Sequence, residues 1–197
     1  MINQPTPSAA SIIASGGVIA FRTDTFYGLG VDPLNALAIR KLRELKGRED
    51  TKPILLLISD REQVTRFVAE TSPIFTRISL QYWPGPLTLI GIARPELPVE
   101  LTAGSGTIGV RLPDEEEVCA LVRACGGALT ATSANLSGTP PARTAREVEK
   151  YFADRIDLIL DRGEVTATAP STVLDLTGEE PRVVREGAIT FRESDLN

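Results

Sequence analysis

The sequence predicts an α/β fold in which a twisted, mixed β-sheet is flanked by helices. Short apolar runs typical of strands alternate along the chain with amphipathic stretches typical of helices. No linker rich in Gly, Ser and Pro divides the 197 residues, a length that suits one domain. Near the C-terminus the strict alternation is lost, which favours a mixed sheet over a parallel one. We therefore expect one domain over residues 1–197, with its core at about 16–190 and no second C-terminal domain.

The predicted strands are short, and most are apolar enough to be covered on both faces. They cover residues 17–21, 54–58, 88–93, 107–112, 128–132, 156–160, 172–176 and 182–185. Helices are predicted at residues 35–46 with Gly47 as the stop, after Ser59, from Ser72-Pro73 to Trp83, after Asp114, and from Thr144 to Phe152. Ser59, Asp114 and Thr144 are the expected N-caps, each with Glu three residues later.

The chain contains no histidine, which excludes whole classes of site. Ser-His-Asp and Cys-His catalytic groups cannot form, nor can histidine-ligated zinc or iron sites. The two cysteines, Cys119 and Cys125, have neither redox nor zinc spacing, and we interpret them as small apolar side chains. Chemistry must come from Lys, Arg, carboxylates, hydroxyls, backbone amides or a bound cofactor.

Charge and hydropathy limit the possible partners. The N-terminal residues do not resemble a signal peptide, and the longest wholly apolar run, residues 54–58, is far too short to cross a bilayer. We therefore expect a cytoplasmic protein with no membrane contact. With 21 basic against 26 acidic residues the net charge is −5, so any anion site must be a local pocket rather than a basic coat.

The first candidate site is the run TDTFYGLG, which directly follows the predicted strand at residues 17–21. Thr23 and Thr25 alternate and should therefore face one side of an extended chain. Gly28 and Gly30 would let the backbone turn and approach a ligand closely. Two interpretations remain open on spacing alone: a substrate pocket at a strand end, or an ordinary glycine turn.

The second candidate is the basic stretch from Arg40 to Lys52. Its helical part is expected to face solvent. Lys46, Arg48 and Lys52 fall in the connection between the helix and the next strand, where functional residues concentrate. Their charges suit a phosphate or a carboxylate.

Further polar residues occur at the ends of the other predicted strands. Alternation places Thr107 and Arg111 on one strand face, although a surface edge strand explains them equally well. Ser133 and Asn135 belong to a turn of small polar groups, and Ser171 and Arg185 flank the last two strands. Neither a Walker A sequence nor G-x-G-x-x-G is present. The residues alone predict an anion or nucleotide pocket, in an enzyme or in a binding protein.

The order of these motifs resembles that of the YrdC family. The motifs are TDTFYGLG, KGR with KP following, PGPLTL, TIGVRLP, SANLSG, STVLDLTG and VVREGAIT, and they extend over roughly residues 16–190. The resemblance implies an α/β fold with a concave, positively lined pocket. It also implies a nucleotidyltransferase that converts L-threonine, bicarbonate and ATP into threonylcarbamoyl-adenylate and pyrophosphate. The product supplies the modification of an adenosine beside the anticodon of tRNA.

The resemblance gives roles to the matching positions. Thr25, Arg111, Ser171 and Tyr27 are expected to contact threonine. Thr23, Lys52, Thr107, Ser133 and Asn135 are expected to bind ATP, and Lys46, Arg48 and Arg185 to neutralise charge during the reaction. Mg²⁺ is expected with ATP, held mainly by the phosphates rather than by a protein metal site. The partners implied are ATP, L-threonine and bicarbonate, and then tRNA and the proteins of a transferase complex.

Several positions depart from the family pattern. Arg22 and Glu186 stand where many members carry proline, and so does Thr132. Leu57 stands where some place histidine, and Ala169-Pro170 where an acidic residue is common. These departures keep a paralogue with another carbamoyl-adenylate substrate as an alternative. A non-catalytic module that binds tRNA is the other alternative, and the acidic net charge argues against it.

Overall fold

The secondary structure is mixed α/β in the computed structural model, which describes residues 6–47 and 53–196. The α-helices are α1 Thr6–Ala14, α2 Ala36–Lys46, α3 Pro73–Tyr82, α4 Val99–Thr102, α5 Glu116–Ala124, α6 Ala145–Phe152 and α7 Glu193–Leu196, and short 3₁₀ helices lie at Arg61–Arg66 and Ala153–Arg155. The strands are β1 Ile19–Arg22, β2 Tyr27–Gly30, β3 Leu56–Ile58, β4 Leu87–Ile92, β5 Thr107–Arg111, β6 Ala128–Thr130, β7 Thr132–Ser133, β8 Leu158–Leu160, β9 Thr172–Asp175 and β10 Arg182–Arg185. Within the described ranges, no helix is long and apolar enough to cross a bilayer.

The strands form two mixed sheets. Their orders are β7-β2-β1-β8 and β10-β9-β4-β5-β3-β6. β1 pairs antiparallel with β2 and parallel with β8, while β5 pairs parallel with β3 and antiparallel with β4. The predicted α/β class with mixed strand pairing is confirmed. The expectation of a single sheet is wrong. β2 and β8 occupy both edges of β1, so β1 has no free edge with which to pair with a strand of the second sheet.

Apolar side chains join the two sheets. One buried cluster contains Ile19 and Phe21 from the first sheet and Leu57 and Leu129 from the second, together with residues of α1 and α5. A larger cluster covers the opposite strand faces and includes Ala20, Leu29, Leu56 and Val110. Burial of each large apolar side chain contributes about 1.5–3 kcal/mol, so this shared core fixes the relative position of the two sheets.

The segment Tyr27–Gly30 is strand β2, so the expectation that the backbone turns at Gly28 and Gly30 is wrong. Gly30 has a packing role in this strand. A Cβ on Gly30 would lie 2.8 Å from Cε1 of Phe21 and 3.0 Å from the carbonyl oxygen of Thr130. The turn instead falls at residues 23–26, which connect β1 to β2.

The helix boundaries follow local side-chain chemistry. The predicted cap at Thr144 is confirmed, since its hydroxyl accepts the backbone N–H of Glu147, and Ser72, the predicted start of a helix, caps α3 by accepting the N–H of Phe75. Gly47 ends α2 at φ 58°, as predicted. The caps at Ser59 and Asp114 are wrong, because Asp60 precedes a 3₁₀ helix and Glu115 precedes α5, neither with a capping side chain. The helices α1, α4 and α7 were not predicted.

Candidate functional site

The β1–β2 loop has a conformation fixed by its own hydroxyl groups. Oγ1 of Thr23 donates to the carbonyl oxygen of Phe26 over 2.7 Å and accepts the N–H of Thr25 and of Phe26. The hydroxyls of Thr23 and Thr25 lie 3.1 Å apart, and both residues are buried. The two threonines therefore lie side by side as predicted, although a turn rather than an extended strand brings them together.

Arg111, the last residue of β5, connects this loop to the second sheet. Its Nε donates to the carbonyl oxygen of Gly85 over 3.0 Å, and its Nη1 donates to Oγ1 of Thr25 over 3.3 Å. Its Nη2 forms an ion pair with Oδ2 of Asp24. Only 3% of Arg111 is exposed, and loss of hydration lowers its pKa against the opposing influence of Asp24. The guanidinium is thus held in one orientation between the two sheets.

Ser171 immediately precedes β9, and Arg185 ends β10, so both lie in the part of the second sheet that borders β4 through β9. Oγ of Ser171 lies 3.1 Å from Oγ1 of Thr88, and both residues are buried. Arg185 donates through Nε and Nη2 to the carbonyl oxygen of Ser171, and through Nη2 to Oγ of Ser171 over 2.8 Å. Loss of hydration, followed by the positive charge of Arg111, lowers the pKa of Arg185. Two guanidinium groups therefore share a region that suits an anion.

Lys46, Ser133 and Asn135 form a second polar group. Lys46 is 6% exposed, and its Nζ donates to the carbonyl oxygen of Ser133 and, over 3.3 Å, to Oδ1 of Asn135. Oγ of Ser133 donates to the same Oδ1, while Nδ2 of Asn135 donates to the carbonyl oxygen of Thr139. Ser133 is paired with Gly28 of β2, so this group adjoins the hairpin that carries Thr23 and Thr25.

Two predicted site residues form hydrogen bonds outside these groups. Thr107 begins β5, four positions from Arg111 and therefore about 13 Å along the strand, and its hydroxyl lies 3.0 Å from Oγ of Ser105. Tyr27 is fully buried in the larger core, where its hydroxyl donates to the carbonyl oxygen of Gly163 over 2.9 Å. We therefore assign Tyr27 a structural contact instead of the predicted contact with substrate.

Arg48 and Lys52 lie outside the described residues. Their predicted roles stay predictions, as do the ligand contacts of the other site residues.

Sequence reasoning did not single out Asp24, Thr88 and Gly85. Asp24 lies between two threonines that were selected, and Thr88 is a polar residue in the otherwise apolar strand β4. Both could therefore have been recognised from the sequence as candidate site residues. The contact of Gly85 involves its backbone carbonyl, which no side-chain pattern identifies.

The comparison with protein families decides the identity of the fold. A family model named Sua5/YciO/YrdC, with the description "Telomere recombination", matches residues 11–187. The chain belongs to this family. The resemblance to YrdC proteins predicted from the motifs is thereby confirmed.

Individual members of the Sua5/YciO/YrdC family match over most of this chain. A threonylcarbamoyl-AMP synthase of Thiobacillus denitrificans is 40% identical over 170 residues, which are 86% of this chain and 90% of that protein. The crystal structure of Pyrococcus abyssi Sua5 complexed with L-threonine has a TM-score of 0.90 at 33% identity and covers 96% of this chain, which spans 57% of that protein. Escherichia coli YciO gives a TM-score of 0.84 at 29% identity, with 93% and 89% of the two chains covered.

Proposed function

We propose that this protein is a threonylcarbamoyl-AMP synthase, a nucleotidyltransferase that forms threonylcarbamoyl-adenylate and pyrophosphate from L-threonine, bicarbonate and ATP. The proposal is carried by one observation. Two guanidinium groups are hydrogen-bonded to hydroxyls, Arg111 to Thr25 and Arg185 to Ser171, in a chain that matches a synthase of that name over 86% of its length. Paired guanidinium groups beside hydroxyls suit a substrate with a carboxylate.

The threonine end of the site is the proposed task of Arg111, Thr25 and Ser171. Arg111 is held by bonds to Gly85, Thr25 and Asp24, so it meets a carboxylate without first losing side-chain entropy. The hydroxyls of Thr25 and Ser171 are nearby groups that can either donate to or accept from an amino acid. The P. abyssi relative with bound L-threonine supports this choice of substrate.

The nucleotide end is the proposed task of Lys46, Ser133 and Asn135, with Thr23, Thr107, Arg48 and Lys52 as further contacts. Lys46 is a buried cation that donates to a carbonyl and an amide oxygen, and these bonds hold its Nζ beside Ser133 and Asn135. Lysine is a common phosphate ligand because it presents a compact charge with several donors.

The reaction needs neither a histidine nor a strong base. Threonine and bicarbonate give a carbamate, with loss of water. A carbamate oxygen then bonds to the α-phosphorus of ATP while the bond from that phosphorus to the bridging oxygen breaks, so the electron pair leaves with pyrophosphate. Positioning and neutralisation of charge are the main contributions of a protein to such a transfer. Lys46, Arg48 and Arg185 supply the positive charge in our proposal.

Mg²⁺ is part of the proposal as a companion of ATP. Within residues 6–47 and 53–196, no group of three or more His, Cys, Asp and Glu side chains is arranged to hold a metal. This side-chain composition suits an ion bound mainly through phosphate oxygens, where it neutralises part of their charge. The protein residues proposed to meet the phosphates remain Lys46 and its neighbours.

The adenylate is a reactive anhydride, so we propose that a transferase consumes it to modify tRNA. A direct contact with tRNA or with the proteins of a transferase complex belongs to the same proposal. An enzyme with this product works where tRNA is matured, and we therefore propose a cytoplasmic location.

A second candidate is a paralogue with another amino-acid substrate. Leu57 is paired in register with Arg111, so an apolar side chain lies next to the proposed threonine carboxylate site. Offering the purified protein ATP and bicarbonate with each of several amino acids separates the two candidates. Pyrophosphate release that needs both L-threonine and bicarbonate supports the synthase. Equal release with a different amino acid in place of threonine supports the paralogue, and salt-sensitive tRNA binding without turnover supports a binding module.

A further inference from the structure

Arg22 stands where the family resemblance led us to expect proline, and the structure gives this arginine a partner. Its Nη1 lies 3.0 Å from both Oε1 and Oε2 of Glu115. The two side chains are 27% and 25% exposed. Of the described ion pairs, this one and Asp24–Arg111 are those in which both side chains are less than a third exposed. Both pairs are therefore screened less by solvent than the others.

The two pairs join the same two segments. Arg22 ends β1, and Asp24 follows it in the β1–β2 loop. Arg111 ends β5, and Glu115 immediately precedes α5. The β1–β2 loop is thus tied to the β5–α5 connection at two points, close to the 3.3 Å contact between Thr25 and Arg111.

The electrostatics of the four groups are linked. Burial raises the pKa of Glu115, while Arg22 acts in the opposite direction and Asp24 raises it further. The charge of Glu115 also acts on Arg111. Removal of Arg22 would therefore leave Glu115 without its pairing cation while the charge of Asp24 still acts against it.

The pair is poorly suited to stabilise the fold. Nε of Arg22 is buried and has no hydrogen-bond partner within the described structure. An unpaired buried polar atom lowers stability, and an ion pair, exposed or buried, often contributes little net stability. A pair that stabilises little and yet fixes two segments at the site is better explained by positioning.

We propose that Arg22 and Glu115 are a positioning pair: they hold the β1–β2 loop so that Asp24 pairs with Arg111 and Arg111 is presented to the substrate. This inference rests on the proposed function, because it takes the carboxylate of L-threonine as the group that Arg111 meets. It concerns residues that act through Arg111 and touch no substrate themselves.

A double-mutant cycle tests the positioning pair. Arg22→Gln, Glu115→Gln and the double variant are compared with the wild type by the dissociation constant for L-threonine, measured by calorimetry without ATP, and by KM, kcat and melting temperature. We expect each single variant to bind L-threonine about 5-fold more weakly, and the double variant to bind it as weakly as the singles rather than about 25-fold more weakly. Arg22→Lys keeps the charge and should stay within about 2-fold of wild type. We expect kcat within about 2-fold, because the reacting groups remain in place.

Matched variants of another ion pair provide the control. Arg40→Gln and Glu100→Gln remove an ion pair of 2.9 Å between α2 and α4, and they should leave L-threonine binding unchanged. Wild-type affinity in Arg22→Gln and Glu115→Gln overturns the positioning role, and so do losses that multiply in the double variant. Failure of the proposed function can be told apart from failure of the positioning role. A wild type that binds L-threonine but releases no pyrophosphate contradicts the synthase, while the double-mutant cycle can still be measured by L-threonine binding. A wild type that binds no L-threonine overturns both proposals.

Discussion

Arg111 and Arg185 lie close enough for their charges to repel. Loss of hydration is the first cause that lowers the pKa of Arg185, and the positive charge of Arg111 is the second. The described bonds of Arg185 go to the carbonyl and hydroxyl oxygens of Ser171, which neutralise none of its charge. Asp24 is the carboxylate that pairs with Arg111. Arg111, Arg185 and Asp24 together therefore carry one excess positive charge, which a bound anion would balance.

Replacement of Arg185 tests the need for this second cation. We expect Arg185→Gln to lower kcat/KM about 100-fold, the usual effect of losing one preorganised charged donor, as followed by pyrophosphate release. Arg182→Gln is the matched control, because Arg182 lies on the same strand and pairs with Asp175. An Arg185→Gln enzyme as active as the Arg182→Gln enzyme would show that Arg185 has no role in turnover.

Replacement of Arg111 by lysine tests the geometry of the threonine site. The shorter ammonium side chain would keep the charge but lose the planar fork that contacts Gly85, Thr25 and Asp24 together. We therefore expect L-threonine to bind Arg111→Lys about 10-fold to 100-fold more weakly, measured by calorimetry, with ATP binding unchanged. Unchanged threonine binding, or an equal loss of ATP binding, would contradict a specific role at the threonine end.

Replacement of Lys46 tests the phosphate end. Lys46→Ala removes the charge beside Ser133 and Asn135, and we expect kcat to fall about 100-fold while L-threonine binding stays within about 2-fold. Lys41→Ala is the control, since Lys41 lies on the same helix and pairs with Asp157 at the surface. Full activity of Lys46→Ala, or a parallel loss in Lys41→Ala, would contradict the assignment.

A fourth prediction concerns packing behind the hairpin. Gly30→Ala would place a methyl group 2.8 Å from the ring of Phe21 and 3.0 Å from the carbonyl oxygen of Thr130. We expect a loss of about 1–3 kcal/mol in the free energy of unfolding, measured by urea denaturation. Gly178→Ala should be nearly neutral, because the added Cβ would lie 3.7 Å from the carbonyl oxygen of Glu180, an ordinary van der Waals distance. Equal stability of the two variants would contradict the close packing of β2.

A fifth prediction concerns pH. Burial opposes the charge of Asp157, but bonds from Lys41 and the N–H of Val18 outweigh it and lower its pKa from the usual 3.8. The lowered pKa means that ionised Asp157 stabilises the fold above the unfolded-state pKa and loses this effect as pH falls through the folded value. Asp157→Asn should therefore have a lower melting temperature than wild type at neutral pH. The difference between the two melting temperatures should become smaller below about pH 4. Asp154→Asn, which changes an exposed carboxylate, is the control. A difference in melting temperature between wild type and Asp157→Asn that stays constant with pH would contradict the prediction.

The sequence predicted the parts of the fold that depend on local chemistry. Asn35–Gly47, Ser72–Trp83 and Thr144–Phe152 carry both periodicity and caps, and the structure has helices there. The β2 strand was missed because Gly28 and Gly30 usually indicate a turn, whereas Gly30 is in a strand where the ring of Phe21 leaves no room for a side chain. That contact joins neighbouring strands and leaves no periodic signal. The division into two sheets was missed for the same reason, since it depends on which strands pair.

The site was predictable as a set of residue types and less so as a geometry. Thr25, Arg111, Ser171 and Arg185 were selected from motifs, and the structure connects them by hydrogen bonds and charge. Thr107 was grouped with Arg111 because side-chain alternation fixes the face of a strand but not the distance along it. The supports of Arg111 were not predicted, because they come from a carbonyl, from a loop carboxylate and from segments far apart in the chain.

In the proposed reaction, one site joins threonine, bicarbonate and the AMP part of ATP. The most direct test is incubation of the purified protein with ATP, Mg²⁺, L-threonine and isotopically labelled bicarbonate, followed by mass spectrometry of the nucleotide products. Our account predicts threonylcarbamoyl-adenylate that carries the label, equal in amount to the pyrophosphate released, and absent from Arg111→Ala. Pyrophosphate without a labelled adenylate, or no turnover by a folded protein that binds ATP, would contradict it.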